Sequence, residues 1–221
     1  MNLSEFDLIN EVFFAESVSP LQLDHLLAEG WRHFGQHFFR YNVGVFRNEL
    51  RFVRPLRIRV CDFSLSRSQK RVLGKNRDLD TVIRPVEFDA EKHALFEKHA
   101  ARFTHGKPEN IYAFLDEKAA TVPCETLEIC VFESNRLAAV SFLDIGKESV
   151  SSIYAMFEPE LAKRSLGIYT MLLEIEYAAN SGKSFYYQGY AYEGESFYDY
   201  KKGFAATESY EWKGIWKKYV E

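Results

Sequence analysis

The sequence predicts an α+β fold, with a mixed and mostly antiparallel sheet flanked by helices. Three features of the second half carry that prediction. Leu127, Ile129 and Val131 alternate with a period of two, and two further strand-like runs, 137–145 and 150–157, follow. Residues 166–180 are then almost wholly apolar, the pattern of a buried helix of about four turns. The aromatic run 184–190 and the segment around Tyr210 and Trp212 suit strands packed on that helix.

Each element follows from local signals. Ser19-Pro20 opens a first helix as N-cap and first helical residue, with Leu23, Leu26 and Leu27 as its apolar stripe and Gly30 at its end. Residues 31–41 and 56–60 read as strands, and in the second Leu56, Ile58 and Val60 alternate with Arg57 and Arg59. Ser66 or Ser68 caps a helix reaching residue 78, and residues 82–88 form a strand. Asp89 caps the next helix, where Phe96, Ala100 and Phe103 share a face. Pro108 sits one residue inside another, with Ile111, Phe114 and Leu115 at helical spacing. The runs 127–131, 137–145 and 150–157 are joined by turns at Ser134-Asn135 and Gly146-Lys147. Ser165 caps the apolar helix, Ser181-Gly182 ends it, and a short helix around 198–202 precedes the last strand. A boundary near residues 80–89 separates an N-terminal region, 1–84, from a C-terminal one, 85–221, and the two are expected to pack as one unit.

With 221 residues, 47% of them hydrophobic and 27% charged, the chain has length and apolar content for a sizeable core. No apolar run is long enough to span a membrane. The first ten residues carry Glu5 and Asp7 and lack the order of a signal peptide, so a cytoplasmic protein is expected. The three cysteines (Cys61, Cys124 and Cys130) form no Cys-x-x-Cys. Their spacing predicts no disulfide framework and no structural metal, and each reads as a small core residue. The six histidines (His25, His33, His37, His93, His99 and His105) show no ligand spacing either. A net charge of −4 argues against DNA as a partner. Locally the balance differs: from Arg47 to Arg77 ten basic residues meet only Glu49 and Asp62. Such a stretch is either a solvated basic face or a surface that tracks phosphate.

The block Asp62-Phe63-Ser64-Leu65-Ser66-Arg67-Ser68-Gln69-Lys70-Arg71 places Arg67, Gln69, Lys70 and Arg71 at a helix start, where free backbone N–H groups favour an anion. Further on, Arg164-Ser165-Leu166-Gly167 opens the apolar helix, and Phe185-Tyr186-Tyr187-Gln188-Gly189-Tyr190 is followed by Tyr198, Tyr200 and Lys201. Together these blocks resemble the aminoacyl-tRNA–protein transferases of the N-end rule, the family of arginyl- and leucyl-transferases. The element order of the second half resembles the core of the N-acetyltransferase (GNAT) fold, which that family uses. The resemblance runs from residue 30 to residue 212.

That resemblance implies transfer of arginine or leucine from charged tRNA to the N-terminus of an acceptor protein, in protein degradation, with no cofactor. The implied partners are an aminoacyl-tRNA and an acceptor with an acidic first residue. Arg67, Gln69, Lys70, Arg71, Tyr154, Arg164, Ser165, Gly167, Tyr187, Tyr200 and Lys201 would contact tRNA or acceptor. Gln188 and Tyr190 would lie beside the aminoacyl ester, and Asp144, at a position where the family carries Asp, would hold or deprotonate the incoming amine. Two departures stand out. Tyr169 occupies the place of a small residue in the acetyltransferase pyrophosphate loop, where a bulky side chain blocks close approach of backbone to coenzyme A. Family members also carry N-terminal cysteines for a metal or iron–sulfur centre, whereas residues 13–19 and 41–54 contain none. Two alternatives stay open at this point. One is an acyl-CoA-dependent N-acyltransferase, and the other is a non-catalytic relative that binds tRNA or peptide.

Overall fold

A computed structural model describes residues 7–103 and 106–220; Glu5 and His105 lie outside the described residues. The chain opens with β1 (Asn10–Phe14), α1 (Pro20–Ala28) and the hairpin of β2 (Arg32–Phe34) and β3 (His37–Tyr41). These three strands form a small sheet in the order β1-β3-β2. Next come β4 (Val43–Phe46), the long β5 (Glu49–Arg59), α2 (Arg67–Lys75), β6 (Asp80–Pro85) and α3 (Ala90–Ala100). The second half consists of β7 (Thr126–Glu133), β8 (Arg136–Ile145), β9 (Ser149–Phe157), α4 (Leu166–Asn180), β10 (Phe185–Tyr192), α5 (Asp199–Lys202), β11 (Thr207–Tyr210) and β12 (Trp216–Lys218).

The larger sheet runs β12-β11-β5-β10-β9-β8-β7-β6, with β4 paired to the start of β5. Every pair is antiparallel except β9 with β10. Strand β5 sits between β10 and β11, so the N-terminal region supplies an inner strand of the sheet. The period of two decides the layers. Ile129, Leu143 and Ile145 turn to the face covered by α4 and α2, where they meet Met171, Leu172 and Ile175. Cys130, Val140 and Phe142 turn to the other face and meet Leu95, Phe96 and Ala100 of α3. The small sheet and α1 pack on that second face too, through Leu23, Trp31, Phe38 and Tyr187. Asp24 pins α1 to the β8–β9 turn by accepting from the Glu148 amide at 2.8 Å and the Ser149 hydroxyl at 2.6 Å.

Several elements differ from the expectation, each for a local reason. Residues 31–41 form a hairpin instead of one strand, because Gly35 turns the chain with φ +50°. Strand β5 begins at Glu49, since the turn at Arg47-Asn48 (φ 50° and 62°) folds β4 back on it. The Ile111–Ala113 segment makes only a 3-10 turn. The Phe114 carbonyl accepts from the Gly35 amide at 3.0 Å instead of extending a helix, and the Phe114 ring stacks on Tyr154 at 4.1 Å. Phe103 lies beyond the end of α3 and is exposed. Ser66 caps α2 through a reciprocal box with Gln69. Ser165 precedes α4 in the left-handed region and makes no side-chain cap. Cys61 is exposed in a turn after β5, whereas Cys124 and Cys130 are buried. Strand β11 stops at Tyr210; Trp212 (φ +59°) starts the turn into β12 and donates its indole N–H to the Val53 carbonyl.

The second face holds a buried charge pair. Lys92 and Glu128 are almost fully buried, with Lys92 Nζ 3.1 Å from Glu128 Oε1, and Arg84 meets the same oxygen at 2.7 Å. Removing Lys92 leaves the buried Glu128 carboxylate with the half-exposed Arg84 as its one charged partner among the described residues. Lys92→Met is therefore expected to cost about 3 kcal/mol in urea unfolding. Adding Glu128→Gln to it should recover part of the loss. A neutral effect of Lys92→Met alone would contradict this account.

Candidate active site

Strands β9 and β10 pair in parallel over only three positions: Phe185 with Ser149, Tyr186 with Val150, and Tyr187 with Ser151. Beyond them the strands part. Strand β10 stays paired to β5 but shifts register between Tyr187 and Gly189, a bulge that sets Gln188 out of the ladder. Gly189 takes φ +92° there. The parted strands leave backbone groups of β9 without sheet partners, and such groups must be satisfied.

Arg32 satisfies one of them, the Ser152 carbonyl. It projects from β2 into the gap, donating from Nη1 to the Ser151 hydroxyl at 2.5 Å and from Nη2 to the Ser152 carbonyl. Helix α4 presents Glu174, 1% exposed, whose Oε2 accepts from the Tyr186 hydroxyl at 2.5 Å. Helix α5 presents Lys201, with Nζ 3.4 Å from the Tyr190 carbonyl. A Cβ on Gly189 would lie 3.2 Å from Lys201 Nζ and 3.7 Å from Arg32 Nη2, so both cations border that one bare Cα. Among the described residues Glu174 Oε1 and Gln188 Oε1 are buried acceptors with no donor in good hydrogen-bond geometry, although the Ser141 and Ser152 hydroxyls lie beside the Glu174 carboxyl. A polar, desolvated cleft with unmet acceptors is suited to an ammonium or amine ligand.

Burial sets the protonation of this cluster. It pushes the Glu174 carboxyl up to about 7, opposed by the Tyr186 hydroxyl bond. It pushes the Lys201 amine down to about 7, helped by the Arg32 charge. Tyr186 is raised well above its ordinary range by burial and by Glu174. Tyr200 as a whole is exposed, yet the packing around its hydroxyl raises it to about 12. Two groups of opposite type thus meet near neutrality, the condition under which side chains exchange protons at pH 7.

Residues 91–211 match the family described as arginine-tRNA-protein transferase, C terminus, which is more than half of the chain. The chain belongs to this family. It is 28% identical over 214 residues to the aspartate/glutamate leucyltransferase of Pseudoalteromonas atlantica, covering 94% of this chain and 90% of that protein. It is 31% identical over 193 residues to the enzyme of the same name from Shewanella oneidensis, covering 85% of this chain and 77% of that protein. Among solved structures, L-PGS from Bacillus licheniformis shares 13% identity with a TM-score of 0.47, over 84% of this chain and 55% of that chain. The fold assignment rests on the strand order and the parted β9–β10 pair, not on that likeness.

In this transferase-family chain the expected site residues divide by position. Lys201 and Tyr200 gather at the gap, and Gln188 borders it by its backbone while its side chain reaches across β5 to β11. Gln188 donates from Nε2 to the Thr207 hydroxyl at 3.2 Å. Tyr190 lies at the gap but sends its hydroxyl to the Gly30 carbonyl at 2.7 Å, tying β10 to the segment before β2. Asp144 is buried behind the gap; its oxygens take His33 Nε2 and the Thr126 hydroxyl, both at 2.8 Å. Tyr187 points to the far face, where its hydroxyl meets Arg57 at 3.4 Å. Tyr154 stacks on Phe114, and its hydroxyl, raised to about 12 by burial, has no hydrogen-bond partner among the described residues. Arg164 is held by Asp78 at 2.9 Å and Glu133 at 2.8 Å, beside Ser165 and Gly167 at the start of α4. Arg67, Lys70 and Arg71 are exposed on α2 and form no ion pair among the described residues, whereas the Gln69 side chain is spent on the cap. By contrast Arg57 and Arg59 are tied to Glu208 of β11 at 2.7 and 2.6 Å.

Arg32, Glu174 and Tyr186 were not among the expected site residues. Glu174 had a signal, being a carboxylate in line with the buried apolar residues of α4. Arg32 carried only its place in the Gly30-Trp31-Arg32 run.

The two shifted groups leave opposite marks on stability. Between about 7 and the ordinary 10.5, the unfolded chain holds a proton on Lys201 that the folded chain has released, so this contribution rises with pH. Between the ordinary 4.5 and about 7, the folded chain holds an extra proton on Glu174, so that contribution falls as pH rises. The cleft should therefore be most costly near pH 7. In urea midpoints measured across pH, Lys201→Met should flatten the alkaline limb and Glu174→Gln the acid limb. Unchanged profiles in both variants would contradict these assignments.

Proposed function

We propose that this protein transfers a leucyl group from charged tRNA to the α-amine of an acceptor protein whose first residue is acidic, as a cytoplasmic step that marks proteins for degradation. The observation that carries this reading is the desolvated cluster of Arg32, Glu174 and Lys201 in the gap between β9 and β10. The ester of an aminoacyl-tRNA is already activated, so the protein has to align an amine, take its proton and steady the oxyanion. The amine nitrogen forms a bond to the ester carbonyl carbon, and the bond from that carbon to the ribose oxygen breaks. Lys201, uncharged for much of its time near pH 7, accepts the proton lost by the attacking amine. The departing ribose oxygen takes a proton back. Glu174 Oε1 serves as the acceptor that orients the amine, and Arg32 stabilises negative charge on the carbonyl oxygen. Asp144 positions rather than deprotonates: through His33 it holds β2, and with it Arg32, against β8.

Leucine is favoured over arginine by charge. A guanidinium entering the gap would meet Arg32 and Lys201, with only the half-neutral Glu174 to offset them. The aromatic neighbours of Tyr190, with Tyr41 at 5.1 Å and Phe39 at 6.1 Å, suit an apolar side chain. The names of the relatives point the same way, and they also suggest the acidic acceptor. The unpaired bases of α2 are proposed to meet tRNA phosphate. No helix among the described residues is long and apolar enough to cross a membrane.

The test is a transfer assay with leucyl- and arginyl-tRNA and peptides bearing each N-terminal residue, read by mass spectrometry. Leucine should appear on Asp and Glu peptides. Lys201→Met should slow single-turnover transfer about 100-fold with little effect on tRNA affinity. Arg67→Glu with Arg71→Glu should raise KM for tRNA and lower its salt dependence by about one to two counterions. Arginine as the transferred residue would overturn the donor assignment. Acyl transfer from coenzyme A, or tRNA binding with no transfer at all, would overturn the reading as a whole.

A further inference from the structure

Behind the gap, three side chains from distant parts of the chain meet. They are His33 on β2, Cys124 in the segment before β7 and Asp144 on β8, all buried. One ligand atom from each lies within 4.8 Å of the other two. Cys124 Sγ is 3.9 Å from His33 Nε2, which is 2.8 Å from Asp144 Oδ2.

We propose that His33 Nε2, Cys124 Sγ and Asp144 Oδ2 form a binding site for a single zinc ion. Two observations go beyond the clustering. First, His33 Nδ1 lies 2.8 Å from the Gly35 carbonyl, which can only accept. The Nδ1 proton is thereby fixed, and Nε2 is the nitrogen turned to Cys124 and Asp144. A histidine whose outward N–H is held by a backbone carbonyl is the usual outer support of a metal ligand. Second, the outward oxygen of Asp144 is held by the Thr126 hydroxyl at 2.8 Å, leaving Oδ2 as the inward ligand. Both supports stand on rigid parts: Gly35 turns the hairpin between β2 and β3, and Thr126 begins β7.

Nitrogen, thiolate and carboxylate form a donor set that suits zinc at roughly 2.0–2.3 Å. A tetrahedral edge between nitrogen and oxygen ligands is roughly 3.3 Å, so the His33–Asp144 contact must open by about half an ångström. The Cys124 contact closes slightly. The charges also balance, because one thiolate and one carboxylate neutralise the dication in a buried place. Binding exchanges two protons for the ion. The Cys124 thiol releases its proton to solvent as the zinc–sulfur bond forms, and the proton between His33 and Asp144 leaves as well. Without a cation the thiol is favoured over the thiolate, since burial and Asp144 push it up and the Thr126 hydroxyl opposes them only in part. The fourth position of the tetrahedron is left to a water. These residues are separate from the stretches 13–19 and 41–54, which contain no cysteine.

The test uses the full chain and two probes, zinc and cobalt(II). After expression with zinc and desalting, elemental analysis should find about one equivalent per chain. Cobalt added to chelator-treated protein should produce a near-ultraviolet thiolate charge-transfer band. The protein carrying Cys61→Ala and Cys130→Ser, in which Cys124 is the only thiol, should keep the band, and Cys124→Ala should lose it. Should Cys124→Ala fail to fold, the single-thiol protein still decides. Folded parent that retains neither metal would overturn the proposal and leave His33 and Asp144 as an internal ion pair. Loss of the band from the single-thiol protein would overturn it equally.

Discussion

The separation of β9 from β10, and the arginine that fills it, is the constraint from which the rest of the site follows. Parallel strands that part after three paired residues leave carbonyl and amide groups in a region that water reaches poorly. Arg32 supplies donors to the Ser152 carbonyl and the Ser151 hydroxyl, yet it comes from a different sheet. The small β1-β3-β2 sheet must therefore be locked to the large one, and Tyr190 to Gly30 and His33 to Asp144 are two of the locks. The bulge at Gln188 and the left-handed Gly189 then make room for the cations that border the gap. A β-carbon at that position would be strained and would press on Lys201.

A cleft made this way is dry, and dryness turns ordinary side chains into acid and base. Glu174 and Lys201 are drawn from ranges six units apart, 4.5 and 10.5, to a common value near 7, chiefly because burial disfavours the charged form of each. Neither is fully relieved inside the protein, and Glu174 keeps one oxygen with no donor in good hydrogen-bond geometry among the described residues. Substrate supplies what is missing, so binding energy and proton transfer draw on the same feature. The chemistry requires little else. Transfer from an aminoacyl ester needs no covalent intermediate, only placement of the amine and a nearby acceptor for its proton.

Much of the fold was legible because it is written in periodicity. Strand β7 alternates, β8 and β9 are short apolar runs bounded by turns, α4 is largely apolar, and all appear within a residue or two of where the pattern puts them. The site was only partly legible, for two reasons. Its charged members come from β2, α4 and α5, and spacing along the chain says nothing about such meetings. Pairing across the sheet also changes what a residue does: Arg57 and Arg59 read as a basic face, but both are tied to Glu208 on β11, and Arg59 to Asp62 as well. His33, Cys124 and Asp144 are the sharpest case. Cysteine spacing indicated nothing, because each ligand lies in a separate element and only the folded sheet brings them within reach. The Glu174 carboxylate, placed among the apolar residues on the buried face of α4, was the one signal at the site that could have been read.

The central claim is that Lys201 is an uncharged amine for much of its time at neutral pH. It is tested most directly by titrating that side chain in the folded protein by NMR. Lysine side chains labelled with ¹⁵N, with the Lys201 resonance assigned by its loss in Lys201→Arg, should show this one amine changing near pH 7. Glu174→Gln should move the midpoint lower still, because a negative charge that favours the ammonium is removed. A Lys201 resonance that titrates at the ordinary 10.5 would contradict the account, since the gap would then hold a plain ammonium and offer the attacking amine no base.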